Sequence, residues 1–258
     1  SIGYDGVELF IGMGQIDAYR QLGKVLRDLE LQTSCVCVPD VERNPASPDA
    51  SVRAAATDWL KGRLDCANAI AADVLVGPNH SAFAHFSRQA PSEDEYRWSA
   101  EVMHSVGDHA ADAGVVIALE ALNRFECYLC NTAEQLVHLV DLADHSQIRA
   151  MFDTHHANIE EKSSASAIAT LGDRLAHVHI SENDRGTPGS GSVAWDEVFS
   201  ALARANYDGW MTIESFSRRD VDFANAINVW REFSPVEEVT EAGFEFIQSN
   251  INKYFAKA

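Results

Sequence analysis

Basic residues are scarce. The chain has 258 residues, with 20 Lys and Arg against 39 Asp and Glu, a net charge of −19. Nucleic acid and anionic membrane surfaces both select a basic face, so neither is an expected partner. Long apolar runs are missing as well. No stretch reaches the about 18 consecutive apolar residues of a membrane-spanning helix. Ser1–Gly6 offers neither a basic start nor a long apolar segment, so it does not read as a secretory signal. Cysteine is sparse too. Cys35, Cys37, Cys66, Cys127 and Cys130 are odd in number and scattered, which is no disulfide framework. Cys127 and Cys130 have the spacing of half a structural zinc site, but no second such pair follows. Buried free thiols in a reducing cytoplasm are the better reading.

What is present is a large apolar fraction, 46% of residues, enough for a sizeable core. The length suits one α/β barrel. Short β-rich runs alternate with longer amphipathic segments. Strands are expected at 6–11, 32–38, 73–76, 115–122, 148–153, 175–181 and 210–214. Helices are expected around 17–29, 51–71, 92–113, 132–143, 163–171 and 195–205, with two helical stretches between 223 and 254. Pro39–Asp49 reads as a loop. This alternation implies a parallel sheet with crossover helices.

Seven strands are counted, and a (β/α)8 barrel of the TIM type has eight. The chain enters a strand almost at once, with Gly3–Gly6 as its entry turn. The expectation is therefore a single TIM-type barrel domain over 1–258, lacking its first strand and helix. An open sheet accommodates the pattern less well.

Four polar residues stand where consecutive strands end: Glu120, Asp153, His179 and Glu214. Side chains alternate across a strand. On that rule Val116, Ala118 and Glu120 share one face. His177, His179 and Ser181 share another, as do Thr212 and Glu214. Three carboxylates and one imidazole would thus converge at the C-terminal mouth, where barrel enzymes keep their sites. Three like charges in close quarters repel and resist burial. A divalent cation resolves that conflict. Oxygen-rich ligation with one nitrogen suits Mn²⁺, Mg²⁺ or Co²⁺ better than a structural zinc. The segments that follow these strand ends, 123–126, 154–161 and 181–186, read as loops dense in donors and acceptors, which suits a polyhydroxylated substrate.

The sequence resembles the ketose 3-epimerases, the tagatose and psicose 3-epimerase group of the xylose-isomerase-like superfamily. The resemblance rests on the stretches 118–126, 152–161, 177–185 and 213–216. The four strand-end residues lie 33, 26 and 35 positions apart, as in that family. The resemblance implies one divalent metal ion per subunit, Mn²⁺ first and Mg²⁺ or Co²⁺ next, held by Glu120, Asp153, His179 and Glu214. It makes Glu120 and Glu214 the acid/base pair. It gives Glu126, His156 and Arg185 to the carbonyl end and first hydroxyls of the sugar, and places Phe216 in the pocket lining. The loop Gly77–Phe86, whose counterpart in the family contacts the far end of the sugar, lacks the family's usual tryptophan-containing pattern, so the resemblance does not extend to the choice of sugar.

The implied reaction is epimerisation of a ketose at C3 through an enediolate. Carboxylates on opposite faces would remove and return the proton. Competing readings are an aldose–ketose isomerase and an epimerase or dehydratase of keto-inositols or oxidised glycosides. A sugar phosphate enters as a substrate if the backbone N–H groups of Gly186–Ser192 serve an anion; a flexible lead into the next helix is the plainer account of that stretch. A metal-dependent endonuclease is opposed by the charge. From a different class, a catalytically inactive sugar-binding protein fits the same residues. The aromatic-rich region 223–255 is expected to pack in the core or to form a homodimer or homotetramer interface.

Overall fold

A computed structural model describes residues 2–12 and 14–255. The chain forms two compact units. The larger comprises Tyr4–Phe152 and Thr170–His177; the smaller is built from the residues before Tyr4, from Asp153–Ala169 and from Val178 onward.

The larger unit carries strands β1 (Gly6–Phe10), β2 (Gln32–Val36), β3 (Val74–Gly77), β4 (Val116–Leu119) and most of β5 (Ile148–Asp153). Each pairs with its successor in parallel, with register Gly6 to Gln32, Cys35 to Leu75, Val74 to Val116 and Ile117 to Ile148. Between them run helices α1 (Ile16–Asp28), α2 (Ala50–Ile70), α3 (Glu93–Ala113) and α4 (Ala133–Ala143). Val74, Leu75 and Val76 are all buried, as are Ile117, Ala118 and Leu119. Parallel strands covered on both faces read as continuous apolar runs for this reason.

Local chemistry sets the helix ends. Ser92 and Glu95 form a reciprocal capping box that starts α3, with Glu95 Oε2 accepting from the Ser92 N–H at 2.8 Å. Gly114, at φ +69°, ends it. Thr132 and Gln135 repeat the capping box at the start of α4. The turn after β3 depends on Gly77. Its φ is +117°, and a Cβ there would stand 2.4 Å from the Cys37 carbonyl oxygen.

In the smaller unit the end of β6 (Leu175–Ile180) pairs in parallel with β7 (Met211–Ile213), His179 opposite Thr212. The helices are α5 (Thr154–Glu160), most of α6 (Ser164–Leu171), α7 (Trp195–Arg204), α8 (Val221–Ala226) and α9 (Val236–Tyr254). Trp195, Phe199 and Phe246 make the aromatic core between α7 and α9, with Trp195 and Phe246 edge to face at 5.2 Å. The last helix therefore packs on its own unit.

Seven strands occur among the described residues, in the places the alternation predicts. One expectation fails. The stretch after Asp153 is a helix, α5, because Asp153 caps it: Oδ1 accepts from the N–H groups of His155 at 2.6 Å and His156 at 3.2 Å. Pro39–Asp49 holds a single 3₁₀ turn, Val41–Arg43. Among the described residues, no helix is long and apolar enough to cross a membrane. All five cysteines are free and buried. Burial pushes the Cys127 and Cys130 thiols up, which suits packing and not metal binding.

Candidate metal centre

In the smaller unit three expected ligands come together. His179 Nδ1 stands 3.5 Å from Asp153 Oδ2 and 3.5 Å from Glu214 Oε2. Asp153 is the last residue of β5, His179 lies within β6, and Glu214 follows β7 directly. Strand geometry turns all three side chains to one place. Asp153 and His179 are buried, and Glu214 keeps 22% of its side chain exposed. One edge of the cluster therefore stays reachable.

Arg185 offsets part of the cluster's negative charge. Its Nη1 donates to Glu214 Oε2 at 2.6 Å and to Asp153 Oδ2 at 3.1 Å. Its Nη2 donates to His156 Nε2 at 3.1 Å. Arginine can only donate, so His156 Nε2 carries no proton and the ring is neutral. Burial, which pushes His156 well below the usual histidine range, agrees. Burial alone would raise the Asp153 carboxyl. The Arg185 guanidinium, with further contributions from His156 and His179, holds it well below the usual carboxylate range.

The backbone around Arg185 is constrained. Its φ is +64°, a left-handed value uncommon outside glycine. Its carbonyl accepts from Ser215 Oγ at 2.6 Å and from the Phe216 N–H at 3.1 Å, which ties it to the segment after β7. The Phe216 ring lies under the guanidinium at 4.8 Å and meets Phe223 edge to face. Asp153, His156, His179, Arg185, Glu214 and Phe216 thus form one connected group.

The other two expected site residues belong to the larger unit. Glu120 follows the last residue of β4 and is 4% exposed. Its N–H donates to the Gly77 carbonyl at 3.0 Å, and its carbonyl accepts from His80 Nε2 at 2.8 Å. Glu126 sits in the following turn, where its Oε1 accepts from Asn123 Nδ2 at 2.8 Å.

Several residues here were not singled out from the sequence. Thr154 Oγ1 donates to the Ser181 carbonyl at 2.7 Å, and the Ser181 N–H donates back to it at 2.8 Å. This exchange joins the end of β5 to the end of β6. Glu182 is fully buried. Its carboxylate accepts from the N–H groups of Asn183, Gly189 and Val193 and from Trp195 Nε1, all between 2.9 and 3.1 Å. A Cβ on Gly191 would stand 2.6 Å from Glu182 Oε1. The glycine-rich stretch 186–192 therefore wraps a carboxylate of its own chain, where a substrate phosphate was one expectation. The sequence signal was Glu182 itself, four residues before the first of three closely spaced glycines.

Parallel β/α architecture with a carboxylate–imidazole cluster at strand ends is shared with known proteins. The chain belongs to the xylose isomerase-like TIM barrel family, whose pattern matches residues 1–250. It is 35% identical over 197 residues to the D-psicose 3-epimerase of Ruminiclostridium cellulolyticum, spanning 76% of this chain and 67% of that protein. It is 31% identical over 251 residues to the L-ribulose 3-epimerase of a Methylomonas species, spanning 95% of this chain and 87% of the relative. A solved L-ribulose 3-epimerase superposes with a TM-score of 0.92 at 26% identity, covering 99% of this chain and 87% of that one. A D-psicose 3-epimerase crystallised in the presence of D-fructose gives 0.89 at 28% identity, covering 98% and 90%. The TIM-barrel fold expected from the sequence is thereby shown, and kinship with epimerases makes the chain an isomerase-class enzyme.

Proposed function

We propose that the chain is a divalent-metal-dependent epimerase that interconverts ketoses at C3 through an enediolate. The carrying observation is the Asp153–His179–Glu214 cluster, with Arg185 bridging its two carboxylates, in a chain akin to named ketose 3-epimerases. The donor set fits a divalent ion. It offers carboxylate oxygens and one imidazole nitrogen at a spacing a small cation can span, and no thiolate. The Arg185 charge already sits between the carboxylates, which marks the place as one that calls for a cation.

Asp153, His179 and Glu214 would hold the ion, with Glu120 as fourth ligand. Glu120 is supported by its place at the end of β4 and by the resemblance of 118–126 to the family. Mn²⁺ is the proposed metal. When bound, it would supply Lewis acidity toward the sugar's carbonyl and hydroxyl oxygens.

The chain's own groups do the rest. Glu120 and Glu214 would remove the C3 proton on one face of the sugar and return one on the other. Which of them starts depends on the sugar's configuration. Arg185 would donate toward the carbonyl end, the guanidinium steadying the negative charge of the enediolate, and neutral His156, whose Nε2 accepts from Arg185, would donate from Nδ1–H. Glu126 would accept from a hydroxyl, and Phe216 would cover an apolar face of the sugar while it shields Arg185 from water.

The family match spans residues 1–250, in keeping with one barrel domain over the chain. A cytoplasmic location accords with the five free thiols. Assembly as a homodimer or homotetramer belongs to the same reading, and light scattering coupled to size-exclusion chromatography measures it.

The decisive experiment is incubation with Mn²⁺ and a panel of ketoses in D₂O, followed by NMR. Deuterium at C3 with a new diastereomer is the expected result. Deuterium at C1 with an aldose product would make the chain an aldose–ketose isomerase. No exchange with any sugar would overturn the ketose 3-epimerase reading in favour of a different substrate or a sugar-binding protein.

A further inference from the structure

The backbone of Glu120 is held on both sides, by the last residue of β3 and by the turn that follows it. The β3–β4 ladder ends at the Gly77–Leu119 pair. One residue on, the Glu120 N–H donates to the Gly77 carbonyl at 3.0 Å. The Glu120 carbonyl accepts from the imidazole of His80 at 2.8 Å. A carbonyl oxygen can only accept, so the ring proton resides on Nε2. Nδ1 is then an acceptor, and Ser81 Oγ donates to it at 3.1 Å. The ring is fully buried.

His80 is itself anchored. Ser99 Oγ, on α3, donates to the His80 carbonyl at 2.7 Å. The neighbouring Asn79 donates from Nδ2 to the Val76 carbonyl at 3.0 Å and accepts at Oδ1 from the Cys37 thiol at 3.1 Å. A chain of buried bonds therefore runs from α3 through His80 to the backbone of Glu120. Nothing in it is reachable by a substrate.

We propose that His80 is a positioning residue for Glu120. Its Nε2–H fixes the Glu120 carbonyl, and through the peptide plane it sets the direction in which the Glu120 carboxylate leaves β4. His80 is neither a ligand nor a proton donor to substrate. The inference rests on the reading of Glu120 as a metal ligand and half of the acid/base pair. The reason is general: a ligand whose orientation is set by a buried hydrogen bond loses affinity for its metal when that bond goes. The side chain of a strand-end residue follows its backbone, and on the carbonyl side of Glu120 the His80 bond takes the place of the ladder.

The test compares His80→Leu, which removes the donor, with His80→Gln, whose amide nitrogen reaches about as far as Nε2. Mn²⁺ affinity is measured by isothermal titration calorimetry, with kcat and KM for the best ketose alongside. His80→Leu is expected to weaken Mn²⁺ binding about 10- to 100-fold. It should lower kcat with little change in KM, and His80→Gln should recover most of both. Ser99→Ala, which loosens the anchor of His80 and keeps its ring, should weaken Mn²⁺ severalfold. That variant carries the test if His80→Leu does not fold. A folded His80→Leu with wild-type Mn²⁺ affinity overturns the proposal. So does a His80→Gln as defective as His80→Leu, or, where His80→Leu does not fold, a Ser99→Ala that binds Mn²⁺ like the wild type. Wild-type protein that binds no Mn²⁺ overturns instead the reading of the site on which the proposal rests.

Discussion

Arg185 and Glu214 are joined by a 2.6 Å bond from Nη1 to Oε2, and the same nitrogen reaches Asp153 Oδ2 at 3.1 Å. One guanidinium nitrogen thus bridges two carboxylates that would otherwise repel each other, and offsets part of their charge. It does so on a backbone held at φ +64° by bonds from Ser215 and Phe216.

Arg185→Met removes that cation and leaves the buried Asp153 carboxylate with much less compensation. Unfolding in urea without metal at pH 7 should show a loss of about 3 kcal/mol or more, the range for breaking a buried ion pair. Mn²⁺ should recover part of it, because a bound cation again pairs the carboxylates. The pH dependence has a definite sign. In the wild type the Asp153 carboxyl is depressed, so its contribution is complete above the ordinary value of 3.8 and is lost as pH falls through the lower folded value. The gap between wild type and variant is therefore widest near neutrality and narrows in acid.

Glu182→Gln puts an amide NH₂ where N–H groups converge. The variant is expected to lose about 2–3 kcal/mol at pH 7, through a lost charge-assisted bond and an unsatisfied donor. Burial works to raise the Glu182 carboxyl, but the converging N–H groups of 183, 191, 193 and Trp195 hold it below 4.5. Its contribution is present above 4.5 and lost as pH falls through the folded value. Denaturation of both proteins across the acid range should show the difference shrinking below pH 4.5.

Phosphate should find no seat in the glycine-rich stretch. The N–H groups of Gly189 and Val193 serve Glu182, and that of Ser192 serves Asn183 Oδ1 at 2.7 Å. Inorganic phosphate is expected to leave the melting temperature unchanged, and a phosphorylated ketose should gain no affinity over the free sugar. Competition assays with the two sugars measure this. A clear preference for the phosphorylated one would mean that the stretch opens to release Glu182.

Gly77→Ala should cost about 1–3 kcal/mol from backbone strain alone, with a further loss as the Cys37 carbonyl is pushed aside. Because the Gly77 carbonyl accepts from the Glu120 N–H, the variant should also bind Mn²⁺ more weakly. Thermal unfolding with and without Mn²⁺ separates the two effects: the variant should gain less from the metal than the wild type.

The sequence by itself determined the alternation of seven strands with helices and the placing of Glu120, Asp153, His179 and Glu214 at strand ends. Both are local. Apolar periodicity and the two-residue repeat of a strand are set by neighbours in the chain. Tertiary structure decided how those residues are held. Helix α5 escaped the sequence reading because it spans only seven residues and its cap, Asp153, reads first as a ligand. The bonds from His80 to Glu120, from Arg185 to Asp153 and from Ser181 to Thr154 span 40, 32 and 27 positions. No periodicity encodes such pairs. They form because folding brings buried donors and acceptors together away from water, where each must find a partner. The stretch 186–192 shows the same limit. Glycines that free backbone N–H groups for an anion look alike in sequence whether the anion is a substrate phosphate or, as here, the carboxylate of Glu182.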